Sequence, residues 1–60
     1  MGNFLVGRRL EECREMIKNL GFSYRIVNAD GIPFMITADF DSNRLNLTVE
    51  DNVIMKVVLG

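Results

Sequence analysis

The residues able to do chemistry are few in this chain of 60 amino acids, and they concentrate in the segment FMITADFDSNR at 34–44. Asp39 and Asp41 lie two residues apart there, a spacing that could pair a general acid with a general base. The chain contains no histidine, and neither an activated nucleophile nor an oxyanion donor accompanies the two carboxyl groups. We therefore predict that the protein is not an enzyme and has no catalytic residues.

Cys13 is the single cysteine, so neither a disulfide within the chain nor a zinc site of cysteine and histidine ligands can form. The sequence predicts no metal site and no cofactor. Cys13 falls on the apolar side of a predicted helix, where a free cysteine usually acts as a small buried hydrophobic side chain. No cationic neighbour shares that side, so we predict a structural rather than a reactive thiol.

Composition restricts the class of partner. Seven basic and eight acidic residues give a net charge of −1, so no basic surface is present to attract nucleic acid. The short apolar stretch near the N-terminus precedes Arg8 and Arg9, which reverses the order of a signal peptide, and it is too short to span a bilayer. We expect a single cytoplasmic domain over residues 1–60 whose partner is a protein, because 48% hydrophobic residues leave an apolar surface to cover.

One amphipathic helix is predicted in the part of the chain that precedes residues 34–44. Leu10, Cys13, either Met16 or Ile17, and Leu20 recur at helical spacing, while charged residues fill the other side. Gly21 can adopt the left-handed conformation that ends a helix, so the predicted span is 9–20.

Three strands are predicted after the helix. The sequence SYRIVN at 23–28 is rich in β-branched and aromatic residues, and RLNLTVE at 44–50 alternates strictly between apolar and polar. VIMKVVL at 53–59 follows Asp51-Asn52, a pair that suits a tight hairpin turn between antiparallel strands.

About a dozen residues, Gly31 to Asn43, connect the first two strands after a turn predicted at 29–31. Ordered connections of this length in small domains usually either carry function or contain another element. Two interpretations remain open: the apolar residues 32–36 form an extra strand, or the connection is an exposed binding loop.

The chain resembles the potato inhibitor I family of serine-protease inhibitors and a related family of small bacterial inhibitors. The likeness rests on LVG at 5–7, TADF at 37–40, NRLNL at 43–47 and VVLG at 57–60, in that order over nearly the whole chain. The resemblance implies an α+β fold in which one helix packs on a three-stranded mixed sheet. The first two strands would be parallel, and a C-terminal hairpin would complete the sheet.

The resemblance also implies roles for individual residues. Ala38 would occupy the position that determines protease specificity, and Ala38-Asp39 would be the bond presented to a subtilisin- or elastase-like protease. Arg44 and Asn46 would hold the loop from the following strand. The predicted partner-binding loop comprises Ile36, Thr37, Ala38, Asp39 and Phe40.

The alternative function is an oligomeric binding module, of phage or bacterial origin, that sequesters a host protein or a small ligand. Exposed phenylalanine and methionine side chains suit protein contacts. The residues predicted for self-association, as a homodimer, are Ile32, Phe34, Met35 and Ile36.

Overall fold

The computed structural model describes residues 3–60 and has an α+β fold with one α-helix and a four-stranded mixed sheet in that range. The strand order in the sheet is β2-β1-β3-β4. In chain order the elements are a 3-10 helix at Asn3–Leu5, α1 at Leu10–Asn19, β1 at Ser23–Ala29, β2 at Ile32–Pro33, β3 at Arg44–Glu50 and β4 at Val53–Leu59.

Helix α1 is one residue shorter at each end than the predicted span of 9–20. Arg9 is the N-cap and has an extended backbone with no side-chain cap, while Leu20 is the C-cap. Gly21 has a φ of 84° and donates its backbone N–H to the carbonyl oxygen of Lys18 at 3.0 Å, which ends the helix. Cys13 and Ile17, one turn apart, are the buried residues of the helix.

Strands β1 and β3 form a parallel pair at the centre of the sheet. Ser23 pairs with Arg44 and Arg25 pairs with Asn46, and a bulge interrupts the register between Ile26 and Asn28. The polar face of β3, which carries Arg44 and Asn46, is therefore continuous with Arg25 of β1.

Strands β3 and β4 form an antiparallel hairpin through Asp51 and Asn52, with φ values of 52° and 63°. Positive φ at both turn residues is the geometry of the tight turn that matches strand twist, and Asx residues tolerate it.

The prediction of three strands is wrong, because Ile32–Pro33 adds a short edge strand. Asp30 and Gly31 have φ values of 53° and 81° and turn the chain back on β1, where Ile32 pairs with Ala29. The strand is only two residues long, and Pro33 has no N–H to donate to a sheet. Of the two interpretations left open for residues 32–36, the extra strand is therefore present only at Ile32–Pro33, and the rest of the connection is loop.

The core lies between α1, the 3-10 helix and one face of the sheet. Strand β3 alternates buried and half-buried residues, as its sequence predicted. Full burial of one such aliphatic side chain stabilises the fold by about 1.5–3 kcal/mol. The core residues are Leu5, Cys13, Ile17, Leu45, Leu47, Val49 and Ile54.

Candidate functional site

The loop between β2 and β3, residues 34–43, is exposed at every position. The side chains of Met35 and Phe40 are 100% and 73% exposed. Ala38 lies exposed between Thr37 and Asp39. The loop contains no helix or strand, so its conformation depends on individual hydrogen bonds to the rest of the protein.

Thr37 and Asp39 are joined across Ala38. The hydroxyl of Thr37 donates a hydrogen bond to the Oδ1 carboxylate oxygen of Asp39. This contact lowers the pKa of Asp39 from its ordinary value, and the backbone N–H of Asp39 and the nearby Arg44 guanidinium lower it further. A carboxyl group held in its charged form is a poor general acid, so the site favours a structural role for Asp39.

Arg44 holds the Asp39 side of the loop. Its Nη2 donates to the backbone carbonyl oxygen of Asp39 at 2.8 Å, and its Nη1 lies 3.3 Å from the Oδ2 of the same residue. The side chain of Arg44 is 16% exposed and that of Asp39 is 59% exposed. The guanidinium therefore approaches the loop from a partly buried position on β3.

The chain following β4 also supports this side of the loop. The carbonyl oxygen of Gly60 accepts hydrogen bonds from Nη2 of Arg44 at 2.9 Å and from the backbone N–H of Asp41 at 3.2 Å. Gly60 is buried with a φ of 139°, and a Cβ there would lie 3.5 Å from the ring of Phe40. Arg44 and Gly60 thus form the support beneath the second half of the loop.

Arg25 holds the Thr37 side of the loop and was not predicted from the sequence. Its Nε donates to the Oδ1 of Asn46 at 2.6 Å, and its Nη1 lies 3.2 Å from the Oγ1 of Thr37 and 3.4 Å from its carbonyl oxygen. The resemblance assigned Asn46 to direct support of the loop. Within the described residues 3–60, the Asn46 side chain instead contacts Arg25, and Arg25 contacts the loop. The sequence does show a basic residue inside the first predicted strand. Its role in holding the loop could not be predicted, because that role depends on which strand lies beside β1.

A turn at Asp41–Arg44 leads the loop into β3. The Oδ1 of Asp41 accepts the backbone N–H of Asn43 at 2.8 Å, and its carbonyl oxygen accepts that of Arg44 at 3.2 Å. The carbonyl oxygen of Asn43 then accepts the N–H of Ser23 at 2.8 Å. Asp41 therefore orders the turn that leads into β3, and these contacts account for an aspartate at this position.

The segment predicted for self-association is exposed. Ile32 is 65% exposed on the edge strand β2, and Phe34 and Ile36 are each about half exposed. Together with Met35, these side chains form an apolar surface on the side of the loop that precedes Thr37. The first residues of the loop are thus apolar, and the residues around Ala38 are polar and hydrogen-bonded.

Cys13 lies away from the loop, in the core. Its side chain is fully buried, and this burial raises the pKa of the thiol. An open groove of about 340 Å³ also lies outside the loop, between α1 and the start of β1. Arg14 and Tyr24 both line this groove, and the Nε of Arg14 donates to the hydroxyl of Tyr24 at 2.9 Å. Neither feature contacts the residues around Ala38.

No group of three or more histidine, cysteine, aspartate or glutamate residues within 3–60 is placed to hold a metal ion. No helix in the described part of the chain is both long enough and apolar enough to cross a membrane. The chain matches no model of a known protein family and no curated protein significantly.

Proposed function

We propose that this protein inhibits a serine protease by presenting residues 36–40 as a substrate-like loop, with Ala38-Asp39 as the bond offered to the enzyme. The observation that carries the proposal is the setting of Ala38. It is exposed, and the residues on either side of it are hydrogen-bonded to each other and to arginines of the sheet. A protease would meet a peptide bond that is accessible and already held in place.

Preorganisation is the physical basis of the proposed inhibition. A flexible peptide must be ordered when it binds, at a cost of about 0.5–1.5 kcal/mol for each immobilised side chain. Thr37 and Asp39 are ordered in the free protein by Arg25 and Arg44. The same contacts with an enzyme therefore give tighter binding than a flexible substrate would obtain.

The resemblance to the potato inhibitor I family supports the same function. That family places its inhibitory loop between two parallel strands of a small sheet covered by one helix. Here the exposed loop enters β3, which is parallel to β1, after the short β2. The helix α1 packs on the opposite face of the sheet from Arg25 and Asn46.

The side chain of Ala38 restricts the class of target. A single methyl group suits a protease with a small primary pocket, as in the subtilisin or elastase type. Exposed apolar side chains at Ile36 and Phe40 supply further contact area on both sides of the bond.

The exposed apolar surface before Thr37 favours a second candidate, the oligomeric binding module. Contiguous exposed apolar side chains on a small protein often mark a protein interface. In this alternative the contacts are made by residues 32–36, either with a second copy of the chain or with a host protein. Ala38 and the arginines around it then have only structural roles.

Inhibition of a protease panel by wild type and two Ala38 variants tests the proposal. We expect wild type to inhibit a subtilisin-like or elastase-like enzyme at micromolar concentration or below. Ala38→Leu should shift the preference towards a chymotrypsin-like enzyme by about 10–200-fold, because pocket fit is worth about 1–3 kcal/mol per methylene-sized change. Ala38→Pro should abolish inhibition, because proline removes the backbone N–H and restricts Thr37.

Ser42→Leu is the matched control, because it adds a similar side chain at an exposed position of the same loop, beyond the support of Arg44. It should leave the protease preference unchanged. Absence of inhibition by wild type across the panel at micromolar concentration would refute the proposal and leave the binding module.

A further inference from the structure

The two sides of Ala38 are held from two different strands. Thr37 is bound by Arg25 of β1, and Asp39 is bound by Arg44 of β3. The two strands are hydrogen-bonded neighbours with Ser23 opposite Arg44 and Arg25 opposite Asn46. The two guanidinium groups therefore reach the loop from adjacent positions on one face of the sheet.

Asn46 determines where the guanidinium of Arg25 lies. Its amide oxygen accepts a hydrogen bond from the Nε of Arg25 at 2.6 Å in a partly buried contact, and this leaves Nη1 of the same guanidinium free to contact Thr37. The amide nitrogen of Asn46 lies 3.3 Å from the point that a Cβ at position 60 would occupy. Glycine at position 60 thus leaves room for the Asn46 amide, and the amide orients the arginine.

We propose that Arg25 is the positioning residue for the Thr37-Ala38 half of the inhibitory loop, and that Asn46 acts only through Arg25. This inference rests on the proposed protease inhibition. The function that the resemblance assigns to a side chain at position 46 is supplied here by a guanidinium from the neighbouring strand. A planar guanidinium suits this task, because it donates from Nε and Nη1 in fixed directions to two different acceptors.

The arrangement has a consequence for a cleaved loop. Hydrolysis of the Ala38-Asp39 bond by the protease consumes one water and leaves a carboxylate on Ala38 and an amine on Asp39. The first new end stays attached to β1 through Thr37 and Arg25, and the second stays attached to β3 through Arg44. Because these contacts keep the two new ends close together, the reverse reaction, which releases the water, is more favourable than it would be between two free peptides.

The test measures loop order in the free protein and inhibition of the panel protease. Loop order is measured without any protease, by NMR order parameters of residues 36–39. Inhibition is measured by the inhibition constant and by the equilibrium ratio of cleaved to intact chain. Arg25→Ala should lower the order parameters of residues 36–38, weaken inhibition by about tenfold and raise the cleaved fraction, as expected for loss of a hydrogen bond from a charged donor. Global unfolding should change little.

Three variants separate positioning from a general structural role. Asn46→Ala should weaken inhibition on its own but cause no further loss in the Arg25→Ala background, because it acts through the same contact. The exchanged pair, Arg25→Asn with Asn46→Arg, should restore most of the loop order, since the two positions face each other across β1 and β3. Arg14→Ala, which removes an exposed arginine bound to Tyr24 outside the loop, is the control and should change neither readout.

Equal loop order in the Arg25→Ala and Arg14→Ala variants would overturn the inference. Additive losses from Arg25→Ala and Asn46→Ala, or failure of the exchanged pair to restore either readout, would also overturn it. Failure of wild type to inhibit any protease would instead refute the proposed function, and the order parameters would still decide whether Arg25 positions Thr37.

Discussion

The guanidinium of Arg44 donates to the carboxylate and carbonyl oxygens of Asp39 and to the carbonyl oxygen of Gly60. An exposed ion pair contributes only about 0–1 kcal/mol, and Asp39 is mostly exposed, so charge attraction alone would hold the loop weakly. Two of the three contacts are to backbone oxygens, which a planar fork can reach together. The direction of the hydrogen bonds therefore matters more than the charge, and a lysine at position 44 would not be equivalent.

The pKa of Asp39 predicts how the loop responds to acid. Because its folded-state pKa is lowered, the carboxylate contributes fully to loop order above the pKa of an unfolded aspartate, about 3.9. The contribution is lost as the pH falls through the lower folded value. We expect NMR order parameters of residues 37–39 to stay constant from neutral pH down to about 4, near the ordinary aspartate pKa, and to fall only as the pH drops further, through the lowered folded-state pKa.

Two variants test the cause of this pH dependence. Thr37→Val removes the largest contribution to the lowered pKa, so the Asp39 pKa should rise towards its ordinary value and the loop should lose order at a higher pH. Asp39→Asn should give a loop whose order does not depend on pH in this range. An Asp39 pKa at or above that of an unfolded aspartate, measured from its carboxyl chemical shift, would contradict the prediction.

The two turns of the sheet are linked at one of its ends. Asp30, in the turn between β1 and β2, accepts the backbone N–H of Asp51 at 2.7 Å through its Oδ1. Asp51 and Asn52 form the turn between β3 and β4 with positive φ. Each turn is specified by local residues, and the contact between them adds to the pairing of the strands.

The hairpin turn gives a stability prediction. Asn52→Ala should lower the free energy of unfolding by about 1 kcal/mol, because an alanine Cβ is strained in the left-handed conformation that Asn52 adopts. Asn52→Gly keeps this conformation without strain and should be neutral or stabilising. Chemical denaturation midpoints measure both effects, with Glu50→Ala as a control at an exposed strand position. Equal midpoints for the alanine and glycine variants at position 52 would show that the turn does not constrain the fold.

The segment before Thr37 leaves several apolar side chains exposed on this small protein. Ile32, Phe34 and Ile36 are about half exposed or more, and Met35 is fully exposed. A small chain with such a surface is expected either to present it to a partner or to associate.

Replacement of Phe34 and Ile36 by serine separates these outcomes. If residues 32–36 form an interface between two copies, the double variant should be monomeric and lose any concentration dependence of its melting temperature. Size-exclusion chromatography with light scattering measures the oligomeric state. Serine at Met55 and Val58, which are similarly exposed on β4, is the matched control and should not change it. A wild-type protein that is monomeric at high concentration would exclude an interface between two copies and leave the inhibitor and the binding of a host protein.

Local sequence determined most of the secondary structure. Apolar residues recur every 3.6 positions in the helix and every second position in β3, and both patterns depend only on residues close together in the chain. The predicted bounds of β3 and β4 match those of the structure, Arg44–Glu50 and Val53–Leu59. The turn residues also act locally, since positive φ is tolerated by particular residue types. The burial of Cys13 followed from its place on the apolar side of α1.

Tertiary structure alone decided that Ile32–Pro33 pairs with β1 as a strand and that Arg25 and Gly60 support the loop. Strand β2 has two residues, too few for any period, and exists because a turn returns it to β1. Arg25 is 12 residues from Thr37 and 21 from Asn46 in the chain, and Gly60 is 16 from Arg44. Which of these side chains meet depends on the parallel register of β1 and β3, and that register arises from packing distant segments around a common core rather than from the residues beside each position.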